Sequence, residues 1–148
     1  MAPLLENKKV RLRFESLETF TAGIELFGFE VKSLRARLGS LEGSRVVVRG
    51  GEAFLTGMTI PPYQMANAPK EYDPERARRL LLSRKEIAEL LDAESKKGLT
   101  VVPFEVYNKG RYLKVRIDIV RGKNKADRRE DIKRLEAKKE ADRAMREK

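Results

Sequence analysis

The sequence predicts a mainly β fold: a small closed antiparallel β-barrel with two or three short helices, followed by a basic C-terminal tail. Three observations predict it. Several short segments alternate apolar and polar residues with the period of a half-buried strand. Two of the breaks between such segments, Gly50-Gly51 and Asn108-Lys109-Gly110, have the composition and length of hairpin turns. Alternation then stops at Gly122, and a charged segment poor in large apolar residues begins. Short antiparallel strands around one core are best satisfied by closure, because a closed sheet leaves no edge to pair with other chains. Residues 1–121 therefore read as the barrel domain and 122–148 as the tail.

Taken in order, Lys9 to Phe14 alternates, with Val10, Leu12 and Phe14 on one side and Lys9, Arg11 and Arg13 on the other, which predicts a strand with a cationic outer face. Thr19 to Phe27 alternates through Ala22, Ile24 and Leu26 until Gly28 breaks it. Val31, Leu34 and Leu38 stand at i, i+3 and i+7, the spacing of a short helix that ends at Gly39 and offers Lys32, Arg35 and Arg37 on its other face. Arg45 to Arg49 and Glu52 to Thr56 flank the first hairpin turn. Prolines 61, 62, 69 and 74 mark a loop between Tyr63 and Asp73. Ser83-Arg84-Lys85-Glu86 is a capping box, because serine accepts from the third helical amide while the glutamate reaches back to the serine amide. It predicts a helix from about Arg84 to Lys97, with Ile87, Leu90 and Leu91 as its apolar face and Gly98 beyond its end. Leu99 to Tyr107 and Arg111 to Val120 form the second hairpin, in which Leu113, Val115, Ile117 and Ile119 face the core.

The chain of 148 residues carries 33 Lys and Arg against 23 Asp and Glu, a net charge of +10. From Arg121 to Lys148 there are 12 basic and 7 acidic residues, so half of that excess sits in these last 28 residues. A basic surface of this kind binds polyanions, nucleic acid first among them. The tail lacks aromatics, proline and a usable apolar stripe, so it is expected to be disordered alone and helical when docked on a partner. There is no cysteine and no histidine, which excludes disulfides, thiolate nucleophiles, Cys/His zinc sites and Ser-His or Cys-His catalysis. Carboxylates such as Glu25, Glu30, Asp73 and Asp118 are scattered and read as structural; no catalytic set, metal site or cofactor is expected. Tyr63, Tyr72, Tyr107 and Tyr112 are read first as core or rim residues rather than as base-stacking platforms. Gly122-Lys123 lacks the upstream glycine of a phosphate-binding loop. With no signal-like N-terminus and no apolar run of bilayer length, the chain is expected to be a soluble cytoplasmic monomer without membrane contacts.

Particular strings say more. Asn7-Lys8-Lys9, Ala22-Gly23-Ile24, Gly28-Phe29-Glu30-Val31-Lys32-Ser33-Leu34-Arg35-Ala36, Asp73-Pro74-Glu75-Arg76, Arg79-Leu80-Leu81-Leu82, Lys97-Gly98-Leu99-Thr100-Val101-Val102-Pro103 and Arg121-Gly122-Lys123 occur in this order. Together they resemble the SmpB family, the SsrA-binding proteins of bacterial trans-translation. The resemblance implies a barrel of oligonucleotide-binding type that binds the tRNA-like domain of tmRNA and enters stalled ribosomes with it, performing no chemistry itself. It also implies an RNA-binding set of Asn7, Lys8, Lys9, Arg11, Leu81, Lys114 and Lys123. Asp127, Arg128, Arg129, Lys133 and Arg134 would belong to a tail that enters the small subunit and fills the empty mRNA channel as a helix.

The chain departs from that family pattern at three places. Arg11-Leu12-Arg13-Phe14 replaces the usual Arg-His-(Asp or Glu)-Tyr, Thr21 stands where an acidic residue is common before Ala-Gly, and Ala126 replaces a ring that stacks in the tail. The alternative reading is a general single-strand RNA-binding or ribosome-associated barrel protein, which would prefer flexible strands to a tRNA-shaped RNA.

Overall fold

The computed structural model describes residues 3–64, 69–122 and 134–139. In chain order the elements are β1 (Leu5–Glu6), α1 (Lys8–Arg13), β2 (Phe14–Ile24), α2 (Gly28–Arg35), β3 (Arg45–Arg49), β4 (Glu52–Thr56), β5 (Arg78–Leu81), α3 (Arg84–Ser95), β6 (Leu99–Lys109) and β7 (Tyr112–Gly122). The strands form one seven-stranded sheet in the order β1-β6-β7-β2-β5-β4-β3, and all its pairings are antiparallel. Both hairpins stand where their turn residues place them, and the capping box at Ser83 and Glu86 forms in both directions, at 3.2 and 3.0 Å.

The ladder is open, with β1 and β3 at its two ends, rather than closed by hydrogen bonds as expected. Yet the ends share a core. Val46 and Val48 of β3 lie in the same buried cluster as Val101 and Val106 of β6, together with Ala22, Leu80 and the inward residues of β7. α3 lies against both β3 and β6 and buries Leu90 and Ala93 in that cluster. It also covers the sheet edge: Glu94 accepts the Val48 N–H at 3.3 Å and pairs with Arg49 at 3.0 Å, so an edge-strand amide is satisfied within the chain.

The segment expected as a first strand is a helix. Val10 in α1 and Phe14 just beyond its end satisfy strand alternation, but they also stand four residues apart, and so short a segment cannot separate the two periods. Tertiary structure decides the matter. Val10 and Phe14 pack on Val102, Phe104 and Val120, a small cluster on the opposite face of the β6–β7 pair from the main core. That second face exists because of a bulge between Pro103 and Glu105: Val102 and Phe104 serve the outer cluster, whereas Val106 is back in the main one. β2 starts five residues earlier than alternation suggests. Its first half is exposed on both faces, and a bulge between Ser16 and Glu18 disrupts the pattern. β1 and β5 are too short and too irregular in polarity to signal themselves. α2 runs one turn earlier than expected, stopped by Arg37 in the left-handed region at φ 61.

Two carboxylates read as structural are indeed buried and held by arginine. Asp118 accepts from Ser16, from Thr19 at 3.0 Å and from both Nε and Nη2 of Arg116, whose guanidinium also lies 4.6 Å over the Phe104 ring. Glu30 and Arg78 are both fully buried and 2.7 Å apart. Around them, Glu30 accepts from Arg76, from Tyr72 at 2.8 Å and from the Phe27 amide at 2.8 Å, while Arg78 also donates to the carbonyls of Met58 and Pro74. Burial pushes the Glu30 carboxyl up, but the bonds from Arg76, the Phe27 amide, Arg78 and Tyr72 outweigh it and leave it below its ordinary range. Burial, then the neighbouring Glu30 carboxylate, push the Tyr72 hydroxyl up to about 12.

Beyond Gly122, only residues 134–139 of the tail are described, and they are helical; the expectation of disorder in isolation falls mostly on positions outside the described residues. The Ala, Glu and Lys content of this stretch, with neither Gly nor Pro, accounts for the helix.

Removing one partner of the buried pair strands the other. Glu30→Gln is expected to cost about 3–5 kcal/mol in urea unfolding, whereas Glu30→Leu with Arg78→Met restores much of the loss. The pH dependence has two limbs. The folded Glu30 carboxyl is the stronger acid, so its contribution is complete above the ordinary Glu range and disappears as pH falls through the lower folded value. Tyr72 is the weaker acid when folded, so its contribution is complete below pH 10.0 and fades as pH rises to about 12. Tyr72→Phe should abolish the alkaline limb in a stability-against-pH series and leave the acid limb in place.

Candidate nucleic-acid interface

The long β2–β7 ladder has two ends, and the residues expected to bind RNA divide between them. At one end a single row crosses four strands: Leu81 of β5 pairs with Gly23 of β2, Gly23 with Lys114 of β7, and Lys114 with Tyr107 of β6. Gly23 is there for close approach. A Cβ at that position would stand 3.2 Å from Leu81 Cβ and 3.3 Å from its Cδ1. Leu81 thus folds down over a strand without a side chain, yet remains 49% exposed. Leu26, Val31, Leu81 and Gly23 form the apolar part of a groove whose other wall carries Arg111, Tyr112 and Lys114. Tyr112 is 71% exposed, the most open large apolar-bodied side chain among the described residues. Lys114 forms no ion pair among the described residues.

Sequence reasoning missed part of this end. The Arg35 guanidinium of α2 reaches the Arg111 carbonyl at 3.0 Å, and Arg37 reaches the Pro3 carbonyl at 2.9 Å, so the cationic face of α2 borders the β6–β7 hairpin. The signal was present in the helical spacing of Lys32 and Arg35, but only the fold shows that this face adjoins Lys114. Tyr112 has no signal of its own beyond its place at a hairpin base.

At the other end, Asn7 is buried, and its amide nitrogen donates to the carbonyls of Leu41 at 3.2 Å and Pro103 at 3.1 Å. Its backbone N–H bonds Phe104 O at 2.8 Å. The Asn7 side chain is therefore committed within the fold. It fixes the start of α1, from which Lys8, Lys9, Arg11 and Arg13 project into solvent. Lys8 forms no ion pair among the described residues. Lys9 pairs with Glu42, and Arg11 lies 3.7 Å from Glu105. Phe14 pairs with Gly122, so the last described residue of β7 leaves the sheet beside α1. The chain continues from there into Lys123. Lys123, Asp127, Arg128, Arg129 and Lys133 lie outside the described residues, as does Ala126; Arg134 is exposed in the helical stretch. About 30 Å of strand separates the Gly23–Lys114 row from the Phe14–Gly122 row.

Thr21 pairs with Arg116, two rows along from Gly23 and Lys114 and so on the same face. The carboxylate that holds Arg116 comes from Asp118 of its own strand. The Arg116 guanidinium, bonded first to Asp118, titrates above its ordinary range. Among the described residues no group of three or more His, Cys, Asp or Glu could hold a metal ion, and no helix is long and apolar enough to cross a membrane.

The family profile described as SmpB protein matches residues 4–147. The chain is 43% identical over 142 residues to the SsrA-binding protein of Microcystis aeruginosa, an alignment that covers 96% of this chain and 92% of that one. It is 43% identical over 143 residues to the SsrA-binding protein of Gloeobacter violaceus, covering 97% and 93% of the two chains. Among solved structures it superposes on a chain from one described as "tmRNA-SmpB: a journey to the center of the bacterial ribosome". There the TM-score is 0.69 at 41% identity, with 88% of this chain and 95% of that chain covered.

Gly23→Ala is expected to leave the fold intact, within about 1 kcal/mol of wild type, because the side chain it meets is flexible and half exposed. The Leu81 methyl resonances should move, and affinity for a tRNA-shaped RNA should fall several-fold. Unchanged methyl shifts would show that Leu81 does not lean on the glycine.

Proposed function

The chain belongs to the SmpB family, and from that membership we propose that it binds the tRNA-like domain of tmRNA and carries it to stalled ribosomes for trans-translation. It is an RNA-binding protein and not an enzyme. The observation that carries the reading is the row of Leu81, Gly23 and Lys114, an apolar ridge beside an unpaired cation at the mouth of a groove, in a chain that matches the family profile over residues 4–147. Lys114 takes phosphate, while Leu81 fills the groove against sugar or base and makes contact depend on RNA shape. Arg35, Arg111 and Tyr112 extend this set beyond the family positions. Lys8, Lys9, Arg11 and Lys123 form the RNA-binding set at the other end, with Asn7 as their support.

The division into a body of residues 1–121 and a tail of 122–148 follows the same logic. The tail root stands beside α1, about 30 Å of strand from the Leu81 row. One end therefore holds the tmRNA while the other, through Asp127, Arg128, Arg129, Lys133 and Arg134, enters the vacant mRNA channel of the small subunit as a helix. The body is read as an oligonucleotide-binding-type barrel in which α3 draws β3 toward β6, acting as a monomer in the cytoplasm, where its RNA partners are.

Binding to the isolated tRNA-like domain should be strongly salt-dependent, the log of affinity falling by about 0.7–0.9 per neutralised phosphate per log unit of salt. The tRNA-like domain should win over a flexible single strand of equal length. Equal affinity for the two would favour a general single-strand binder instead. Deleting Asp127 to Lys148 should leave tmRNA binding nearly intact and abolish peptide tagging on stalled ribosomes; loss of RNA binding in that truncation would end the division of labour.

A further inference from the structure

A second groove lies at the α1 end. Val10 and Phe14 line its apolar part, and Lys9, Arg13 and Arg45 bring three cations to it. The same groove contains one carboxylate, Glu42. Glu42 is paired with Lys9, and its carboxyl sits below its ordinary range because of the bond and charge of Lys9, with a smaller contribution from the charge of Arg13. Arg45 forms no ion pair among the described residues.

We propose that Glu42 is a specificity-determining residue: a built-in competitor that occupies Lys9 in place of an RNA phosphate and keeps this groove from holding arbitrary polyanions. The proposal rests on the RNA-binding reading above. Its physical basis is the weakness of the pair. The Lys9 and Glu42 side chains are 59% and 63% exposed, so their attraction is screened by water and salt and yields to a well-placed phosphate. The loop holds Glu42 in place without Lys9. Leu41 is buried, Ser44 bonds the Leu41 carbonyl, and the Glu42 amide donates to Ser40 Oγ at 3.1 Å. A carboxylate fixed beside three cations discriminates in the way that specificity usually requires, by penalising the wrong ligand. An RNA bound only by diffuse charge must break the pair and gains little. An RNA held at the distant Leu81 row arrives with its affinity already supplied and can displace Glu42.

The test is Glu42→Gln, which keeps size and removes charge, assayed in the full-length chain with a short oligouridylate and, separately, with the tRNA-like domain. Affinity for oligouridylate should rise by about 2- to 5-fold, and its salt slope should steepen by about 0.7 as Lys9 becomes available to one more phosphate. Affinity for the tRNA-like domain should change less, so the preference for it narrows. In a Lys9→Ala background the same Glu42→Gln change should give no gain. Weaker or unchanged oligouridylate binding by Glu42→Gln overturns the proposal, since a carboxylate that merely orients Lys9 would act in that direction. A gain that persists without Lys9 overturns it as well, because the carboxylate would then act as diffuse charge. Failure of the wild-type chain to prefer the tRNA-like domain would count against the function proposed above, and leaves the oligouridylate comparison to be read on its own.

Discussion

The buried pair of Glu30 and Arg78 is the constraint on which the most irregular part of the structure depends. α2, the loop after β4 and strand β5 reach the main core through Leu34, Met58, Ile60 and Leu80. Glu30 and Arg78 tie all three together through Tyr72, Arg76 and the carbonyls of Met58 and Pro74. Two charges removed from water are tolerated only if every remaining donor and acceptor is met, and here the carboxylate receives six hydrogen bonds from four residues, Phe27, Tyr72, Arg76 and Arg78. That requirement fixes positions more tightly than apolar packing would, because an apolar contact survives a shift of an ångström and this network does not. Since Arg78 opens β5, its placement sets the register by which Leu81, three residues on, meets Gly23. The geometry of the candidate RNA surface is thus inherited from a network on the other side of the same short strand.

A second constraint, independent of the first, positions the α1 end. The bulge between Pro103 and Glu105 turns Val102 and Phe104 away from the main core, and the apolar surface so exposed needs a cover. Val10 and Phe14 supply it, which makes α1 a helix lying on the outer face of the sheet and not an additional strand. Asn7 completes the seat by bonding the Pro103 carbonyl at the bulge itself. Lys8, Lys9 and Arg13 are therefore displayed by a defect in the ladder. Bulges recur where a surface has to be re-aimed, and this one converts a stripe of cations into a compact patch beside the tail root.

What was legible in the sequence follows from how locally each feature is determined. The hairpins at Gly50-Gly51 and Asn108-Lys109-Gly110 and the capped helix α3 depend on residues within a few positions of one another, and they stand where their patterns place them. α1 was not legible, since Val10 and Phe14 fit both periods and the deciding partner, Phe104, is ninety residues away. β5 was hidden for a related reason: its first residue, a buried arginine, contradicts the strand pattern unless Glu30 is known to face it. The site shows the same division. Leu81 and Lys114 were marked by family resemblance, but only the pairing of both with Gly23 shows that they are neighbours. Asn7 was marked as RNA-facing or RNA-supporting, and the structure buries it with its amide spent on two carbonyls.

A net charge of +10 overstates what the chain can offer to a polyanion, and the structure shows how the excess is sorted. Arg78 and Arg116 are committed to buried carboxylates, and Arg79 pairs with both Glu25 and Glu52 at the surface. A cation that is already neutralised within the fold releases no further counterion when a phosphate approaches, so such residues add nothing to salt-dependent affinity. Lys8, Arg45 and Lys114 are different: exposed or half-exposed, they form no ion pair among the described residues, and they stand at the two ends of the ladder rather than along its length. The carboxylates of Glu15 and Glu18 on β2 lie between these two ends. A flexible strand can satisfy either end alone. A rigid, bent RNA whose phosphates matched both would gain from both at once, which is the shape dependence that the proposed tRNA-like ligand asks of a protein whose described surface offers few aromatic platforms.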